Sequence, residues 1–167
     1  MNDASSPVSA SSRGVAALRV KKDVVEGIEA EVLEFDDTVE SVEKASVLSG
    51  YPPSMIVKTL LVRISGKGYV VVLARGDRRL NLDKLGEALG GKAGLARPSD
   101  VREVLGAEVG GVTPLSQAVK KHQVIADPAI MQNEYVLCGG GSLHRLYRVK
   151  AKDLVSYLSP TIIDVFI

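Results

Sequence analysis

The sequence predicts one mixed α+β domain, its mixed β-sheet curled into a partial barrel with short helices on the flanks. Three observations lead there. The chain has 167 residues, 46% of them hydrophobic, enough to fill one core and too apolar for a disordered chain. Short strand-like runs and short helix-like runs follow one another in irregular order, with no internal repeat and no interdomain linker. Tyr69–Ala74 is apolar without polar alternation, the mark of a strand covered on both faces.

Taken in order, residues 1–14 are rich in Ser and Ala and lack an apolar period, which predicts a flexible N-terminal tail before a domain over 15–167. Val15, Leu18, Val24 and Val25 are spaced as on a helix reaching Glu26. Ala30 to Phe35 alternates as a strand. Asp36-Asp37-Thr38 offers N-caps for a helix over Val39–Leu48, which Gly50 stops. Tyr51-Pro52-Pro53-Ser54 is a turn into a strand from Met55 to Ile64, and Ser65–Gly68 is a hairpin loop leading to its return. Asn81 caps a helix carrying Leu82, Leu85 and Leu89. A brief strand at Gly94–Ala96 and a helix from Pro98 to Leu105 follow, closed by Gly106. Val124–Asp127, Tyr135–Cys138 and Arg145–Val149 read as strands, Ala151–Leu158 as a helix, and Thr161–Ile167 as a last strand.

Composition removes several function classes. No apolar run is long enough to span a bilayer, and the N-terminus has no basic start followed by an apolar segment. One cysteine forms no internal disulfide, which fits the cytoplasm. One cysteine and two histidines also argue against a zinc site. A net charge of +1 announces no basic field for nucleic acid. There is no dinucleotide fingerprint, phosphate-binding P-loop or nucleophile elbow.

Three features are candidates for chemistry. In the Met55–Ile64 strand, Ile56, Lys58, Leu60, Val62 and Ile64 share one face, so Lys58 stands among apolar neighbours. Either its stem carries the ammonium to water, or the ammonium is held for an acceptor or a ligand. Gly110-Gly111-Val112-Thr113-Pro114 combines two permissive glycines with Thr113, an N-cap type, and Pro114, suited to a first helical position. Such a loop presents backbone N–H groups to an oxyanion or phosphate, and a plain connecting turn has the same composition. In Cys138-Gly139-Gly140-Gly141-Ser142-Leu143-His144, the glycines exceed what a hairpin needs. Cys138 ends an apolar strand, where a thiol is commonly inert, and His144 is either a ligand-contacting group or a surface histidine.

In this order the segments resemble the YbaK/ProX family, free-standing relatives of the editing domain inserted in bacterial prolyl-tRNA synthetases. The resemblance rests on Val39–Leu48 leading into Ile56-Val57-Lys58-Thr59-Leu60-Leu61, on Leu80–Leu85, on the G-x-x-x-P loop at Gly110–Pro114, on Val124–Asp127 and on Cys138-Gly139-Gly140. It implies a cytoplasmic, metal- and cofactor-free trans-editing deacylase that removes a wrong amino acid, chiefly Ala or Cys, from tRNA for proline. Lys58 matches the family's essential lysine, which positions the terminal adenosine's phosphate or the aminoacyl group. Gly110 and Gly111, with Val112, Thr113 and Pro114, match the loop whose N–H groups hold the scissile carbonyl. Cys138, Gly139, Gly140 and, less closely, His144 match the substrate-binding turn. The attacking group is then water or the substrate's own hydroxyl or thiol. Partners implied are the 3′-terminal adenosine and aminoacyl group of aminoacyl-tRNA, and a prolyl-tRNA synthetase. Leu33 and Val39 stand near positions that are aromatic in the branch acting on cysteinyl-tRNA, and Cys138 stands where relatives often have serine. Whether Ala, Cys, Ser or Thr is removed stays open, as do oligomeric state and tRNA determinants. A non-catalytic tRNA- or synthetase-binding module of the same fold is the alternative.

Overall fold

Lys58 lies at the start of a strand in one of two sheets, and the fold is best followed from how those sheets meet. The computed structural model describes residues 18–167, so the expected tail over residues 1–14 and the first residues of the expected first helix lie outside the described residues. Sheet one has the order β1-β2-β8-β7 and is antiparallel: β1 (Leu18–Val25), β2 (Ile28–Phe35), β7 (Tyr135–Gly139) and β8 (Arg145–Lys150). Sheet two has the order β5-β3-β4-β6-β9 and is mixed: β3 (Val57–Ile64), β4 (Gly68–Arg75), β5 (Ala93–Leu95), β6 (Val124–Ala126) and β9 (Thr161–Ile162). β6 runs parallel to both β4 and β9.

The main core fills the space between the sheets, joining Ile28 and Ala30 of β2 to Val57 and Leu61 of β3, Val71 and Leu73 of β4, and Val136 and Cys138 of β7. The outer face of sheet two is covered through Leu85 of helix α2 (Leu82–Leu89) together with Val165 and Phe166. The outer face of sheet one is covered through Ala45 of helix α1 (Val42–Ser49), packed on Leu33, Phe35, Leu137 and Leu146. Helices α3 (Pro98–Leu105), α4 (Gln117–Lys120) and α5 (Ala151–Leu158) complete the main core. The mixed α+β class is as the sequence predicts. Instead of one curled sheet there are two, joined at their edges by a single parallel bridge between Ile56 and Leu137.

Most elements stand where the sequence puts them. β4 is buried on both faces from Val70 to Ala74, and Asn81 caps α2 by accepting from the Lys84 N–H. Four differences are physical corrections. The stretch read as a helix to Glu26 is strand β1 over Leu18–Val25, paired along its whole length with β2; tertiary pairing overrides a weak helical period. Lys21, Lys22 and Asp23 are exposed on this edge strand, where charge discourages edge-to-edge pairing. Helix α1 begins at Val42 because Ser41, not the Asp36–Thr38 run, accepts the Lys44 N–H. Val39 is held outside the helix, its N–H donating to Leu143 O at 2.7 Å. Ser116 likewise caps α4, so Pro114 precedes that helix and Thr113 makes only a local turn, accepting from the Leu115 N–H at 3.1 Å. The last strand is two residues long, and beyond it Phe166 alone bridges back to Leu80.

Candidate functional site

Beyond the Ile56–Leu137 bridge the strands part, β3 continuing beside β4 and β5, β7 beside β8. The parallel register at the bridge sets Lys58 level with Gly139 across the gap. Here a cleft of about 650 Å³ opens, with Lys58 and Thr59 from β3 and Cys138 and Gly139 from β7 in its lining. Segment Val39–Glu43, at the entry to α1, forms one wall, and Val109, Gly110 and Val112 form another. Pro53, Gly76 and Asp77 close one end. A volume of this order suits a small organic group.

Lys58 sits at the rim of an apolar face. It continues the Leu60, Val62 and Ile64 row, whose outer cover is α2 and the C-terminal segment, not the space between the sheets. Half-buried, its Nζ donates to the backbone carbonyl of Arg78 at 3.3 Å. Among the described residues no carboxylate pairs with it. Burial pushes its pKa below the ordinary lysine range, and the positive charge of Arg79 pushes the same way. The result is an ammonium in a cleft with spare donors. Thr59, on the opposite strand face, is also a lining residue, and its Oγ1 is buried with no partner among the described residues. A buried hydroxyl left unpaired costs about 1–3 kcal/mol, so Thr59 is a residue whose substitution is informative. Sequence reasoning passed over Thr59; its only signal was adjacency to Lys58.

The Gly110–Pro114 loop is shaped by a turn. The Gly111 N–H donates to Glu108 O at 2.9 Å and Gly110 holds φ 86°, the left-handed corner such a turn needs. Gly110 also packs so closely on Glu40 that a Cβ there would stand 2.5 Å from the Glu40 Cβ. The N–H groups of Gly110 and Val112 have no acceptor among the described residues. Gly139 completes the arrangement, because a Cβ on it would run into the Val112 carbonyl. Lacking one, β7 lets the loop lie against its end.

The structure thus brings together Lys58, Gly110, Val112, Cys138 and Gly139 from the sequence-predicted residues. Gly111 and Pro114 are buried behind the loop and Gly140 is buried against Arg145. Thr113 and Gly140 are not among the cleft-lining residues, nor is His144, which is exposed with its Nδ1 3.1 Å from Asp37 O. Cys138 is fully buried, and burial pushes its thiol up to about 12; a thiol that stays neutral is a packing group, not a nucleophile. Glu40, Glu43 and Asp77 bring carboxylates to the same cleft. Glu40 is held ionised by the Thr38 side chain and by Lys44 Nζ at 3.0 Å, and Asp77 by Arg75, whose Nε lies 2.7 Å away.

Residues 36–157 match the family model of the aminoacyl-tRNA editing domain. The chain is 30% identical over 129 residues to the uncharacterized protein YwhH of Bacillus subtilis, covering 77% of this chain and 82% of that one. It is 37% identical over 103 residues to the proline–tRNA ligase of a Thermotoga species, covering 61% of this chain and only 17% of the ligase. A crystal structure described as a candidate trans-editing enzyme for prolyl tRNA synthetase superposes with a TM-score of 0.74 at 27% identity, over 81% of this chain and 85% of that one. A further crystal structure, of a hypothetical protein, gives a TM-score of 0.73 at 28% identity over 96% of this chain and 99% of the other. With the family match spanning the strands, loop and turn that build the cleft, the chain belongs to the aminoacyl-tRNA editing domain family.

Proposed function

We propose that this protein is a trans-editing deacylase that hydrolyses the ester of mischarged aminoacyl-tRNA, with alanine or cysteine on tRNA for proline as the substrate. The observation that carries the reading is the Lys58 ammonium, unpaired by carboxylate among the described residues, standing in a cleft walled by the Gly110–Val112 backbone. Lys58 places a positive charge where the terminal adenosine's phosphate or the aminoacyl carbonyl lies. The N–H groups of Gly110 and Val112 stabilise the oxyanion as water, or the substrate's own thiol, attacks the ester carbon. The ester C–O bond breaks and the ribose oxygen leaves as the hydroxyl, taking the proton given up by the attacking group; the acyl group departs as the free amino acid after attack by water, or as a thiolactone that water then opens after attack by the thiol. The walls are aliphatic, from Val39, Val42, Ile56, Leu60 and Leu146, which suits a small side chain. The carboxylates of Glu40, Glu43 and Asp77 suit its α-ammonium. Gly111, Thr113 and Pro114 hold the loop in shape, Cys138, Gly139 and Gly140 form the floor beneath the aminoacyl group, and His144 contacts the tRNA from outside the cleft. The setting is the cytoplasm, where a prolyl-tRNA synthetase produces the substrate; among the described residues no helix is long and apolar enough to cross a membrane.

The test is a panel of tRNAs charged with Ala, Cys, Ser, Thr and Pro, each incubated with wild type and Lys58→Ala. Wild type is expected to release Ala or Cys from tRNA for proline and to spare Pro. Lys58→Ala is expected to lose about 100-fold or more, the usual scale of one transition-state contact. Tight tRNA binding without turnover of any member would replace this reading by that of a binding module.

A further inference from the structure

Lys58 is held by a backbone carbonyl, and the segment that owns this carbonyl is tied down in an unusual way. After β4 the chain turns through Arg75–Arg78, closed by the Arg78 N–H donating to Arg75 O at 2.9 Å, and the Gly76 N–H reaches back to Ile56 O at 2.7 Å. Both ends of the turn converge on Asp127. Its Oδ2 accepts from the Arg75 N–H at 3.3 Å, and its Oδ1 accepts from Arg78 Nη1 at 2.9 Å and from the Ala129 N–H at 2.9 Å. Asp127 is 1% exposed, the one acidic or basic residue that is buried among those described. Arg78 extends its other arm to Asp164, Nη2 to Oδ1 2.9 Å, and lies 5.5 Å from the Phe166 ring centroid.

An ion pair with one member buried, as Asp127 is here beside a partly exposed Arg78, gives little net stabilisation, since desolvation offsets much of the attraction; what it does supply is a fixed geometry. Asp127 is itself fixed by the Ala129 N–H, so it serves as a rigid post. Arg78 is then pinned on both forks of a planar guanidinium, and its carbonyl has little freedom left. We propose that Arg78 is the positioning residue for Lys58: by tying to Asp127 and Asp164, its guanidinium fixes the carbonyl that aims the Lys58 ammonium into the cleft. Arg78 does not touch the substrate. The positioning role deepens the deacylase reading and rests on it for its kinetic consequence, while the geometry of the Arg78–Lys58 contact stands apart from any substrate.

The experiment therefore has an arm that needs no tRNA. Trace acetylation of the purified full-length chain with acetic anhydride, read by peptide mass spectrometry, gives the labelling rate of Lys58 relative to the exposed Lys152. Arg78→Met alone leaves Asp127 a buried unpaired carboxylate, so the variant to use is Arg78→Met with Asp127→Asn, beside Arg78→Lys, which retains a cation for Asp127 but not the second fork. Lys58 labelling is expected to rise about threefold to tenfold, the factor one hydrogen bond is worth, with Lys152 unchanged. On mischarged tRNA, kcat is expected to fall about tenfold or more with KM little changed. In a Lys58→Ala background the same Arg78 substitutions are expected to cost nothing further. Unchanged Lys58 labelling in a folded variant overturns the proposal, and so does a full kinetic loss in the Lys58→Ala background. If wild type deacylates nothing while Lys58 labelling still responds, the positioning stands and the deacylase reading fails.

Discussion

Three side chains at the cleft make separable predictions. The pKa of Lys58 is lowered by burial and by Arg79 in the folded chain, so the unfolded chain holds that proton more tightly. Protonated Lys58 therefore costs stability, and this cost is relieved as pH rises from the folded value toward the ordinary 10.5. On the proposed mechanism activity runs the other way, since the ammonium is the form that acts and it is lost as pH rises through the lowered folded value. Lys58→Met is accordingly expected to melt at the wild-type temperature or above while losing deacylation; a clear drop in melting temperature would assign the lysine a structural role. Thr59→Val replaces an unpartnered buried hydroxyl by a methyl of similar shape, so stability is expected to hold or rise by about 1 kcal/mol. Turnover is expected to fall if the hydroxyl meets the substrate, and a variant with both stability and turnover unchanged removes Thr59 from the site. Cys138→Ala leaves a small cavity in the main core, costing about 1–2 kcal/mol, and is expected to keep hydrolysis, because a thiol at about 12 takes no part as a nucleophile. Its folded-state resistance to iodoacetamide at pH 8 is the companion measurement.

At the scale of elements, the cleft exists because one strand edge stops pairing and one loop leans in. β7 ends in Gly139, and the Gly110–Val112 loop occupies the space a side chain would take. Gly139→Ala is expected to push the loop away and to cost about 1–3 kcal/mol as an overpacked site, with a larger loss in turnover than in melting temperature. Gly94→Ala in β5, where a Cβ meets nothing within 4 Å, is the matched control and is expected to leave both unchanged. If the two variants behave alike, the contact between loop and strand is not what shapes the site. The boundaries of α1 matter for the same reason. Its start at Val42 leaves Val39–Ser41 as non-helical chain along the cleft, with the Val39 N–H bonded to Leu143 O of the β7–β8 loop, where a longer helix would have withdrawn them.

For the whole molecule, a net charge of +1 supplies no broad basic field to capture the proposed tRNA substrate. Few phosphates are neutralised, so the slope of log affinity against log salt for tRNA is expected to be shallow, about −1 to −3. Filter binding across a salt series checks this, and a slope of zero would remove the phosphate from Lys58's role. The sequence alone determined much at this scale. The mixed class, both faces of β4 buried, the glycine-stopped helices and the alternation that sets Lys58 in an apolar row are local properties of residue type and spacing. Its family resemblance led to the editing-domain family, and the match over residues 36–157 agrees. What it misjudged were weakly patterned segments, β1 above all, whose form depends on the partner strand.

The rest was decided by tertiary structure. A strand period says which face Lys58 is on, but not that the cover on that face ends at its ammonium, nor that the carbonyl of Arg78 stands there to meet it. Alternation cannot show that two sheets join by one bridge and then part, which is what makes a cleft of apolar strands. Nor can composition show that Asp127 is buried and paired with Arg78 at 2.9 Å. Those contacts join residues 20 and 49 positions apart, and they form only when distant segments are packed against one another. The sequence determined what Lys58 is; packing decided where it points.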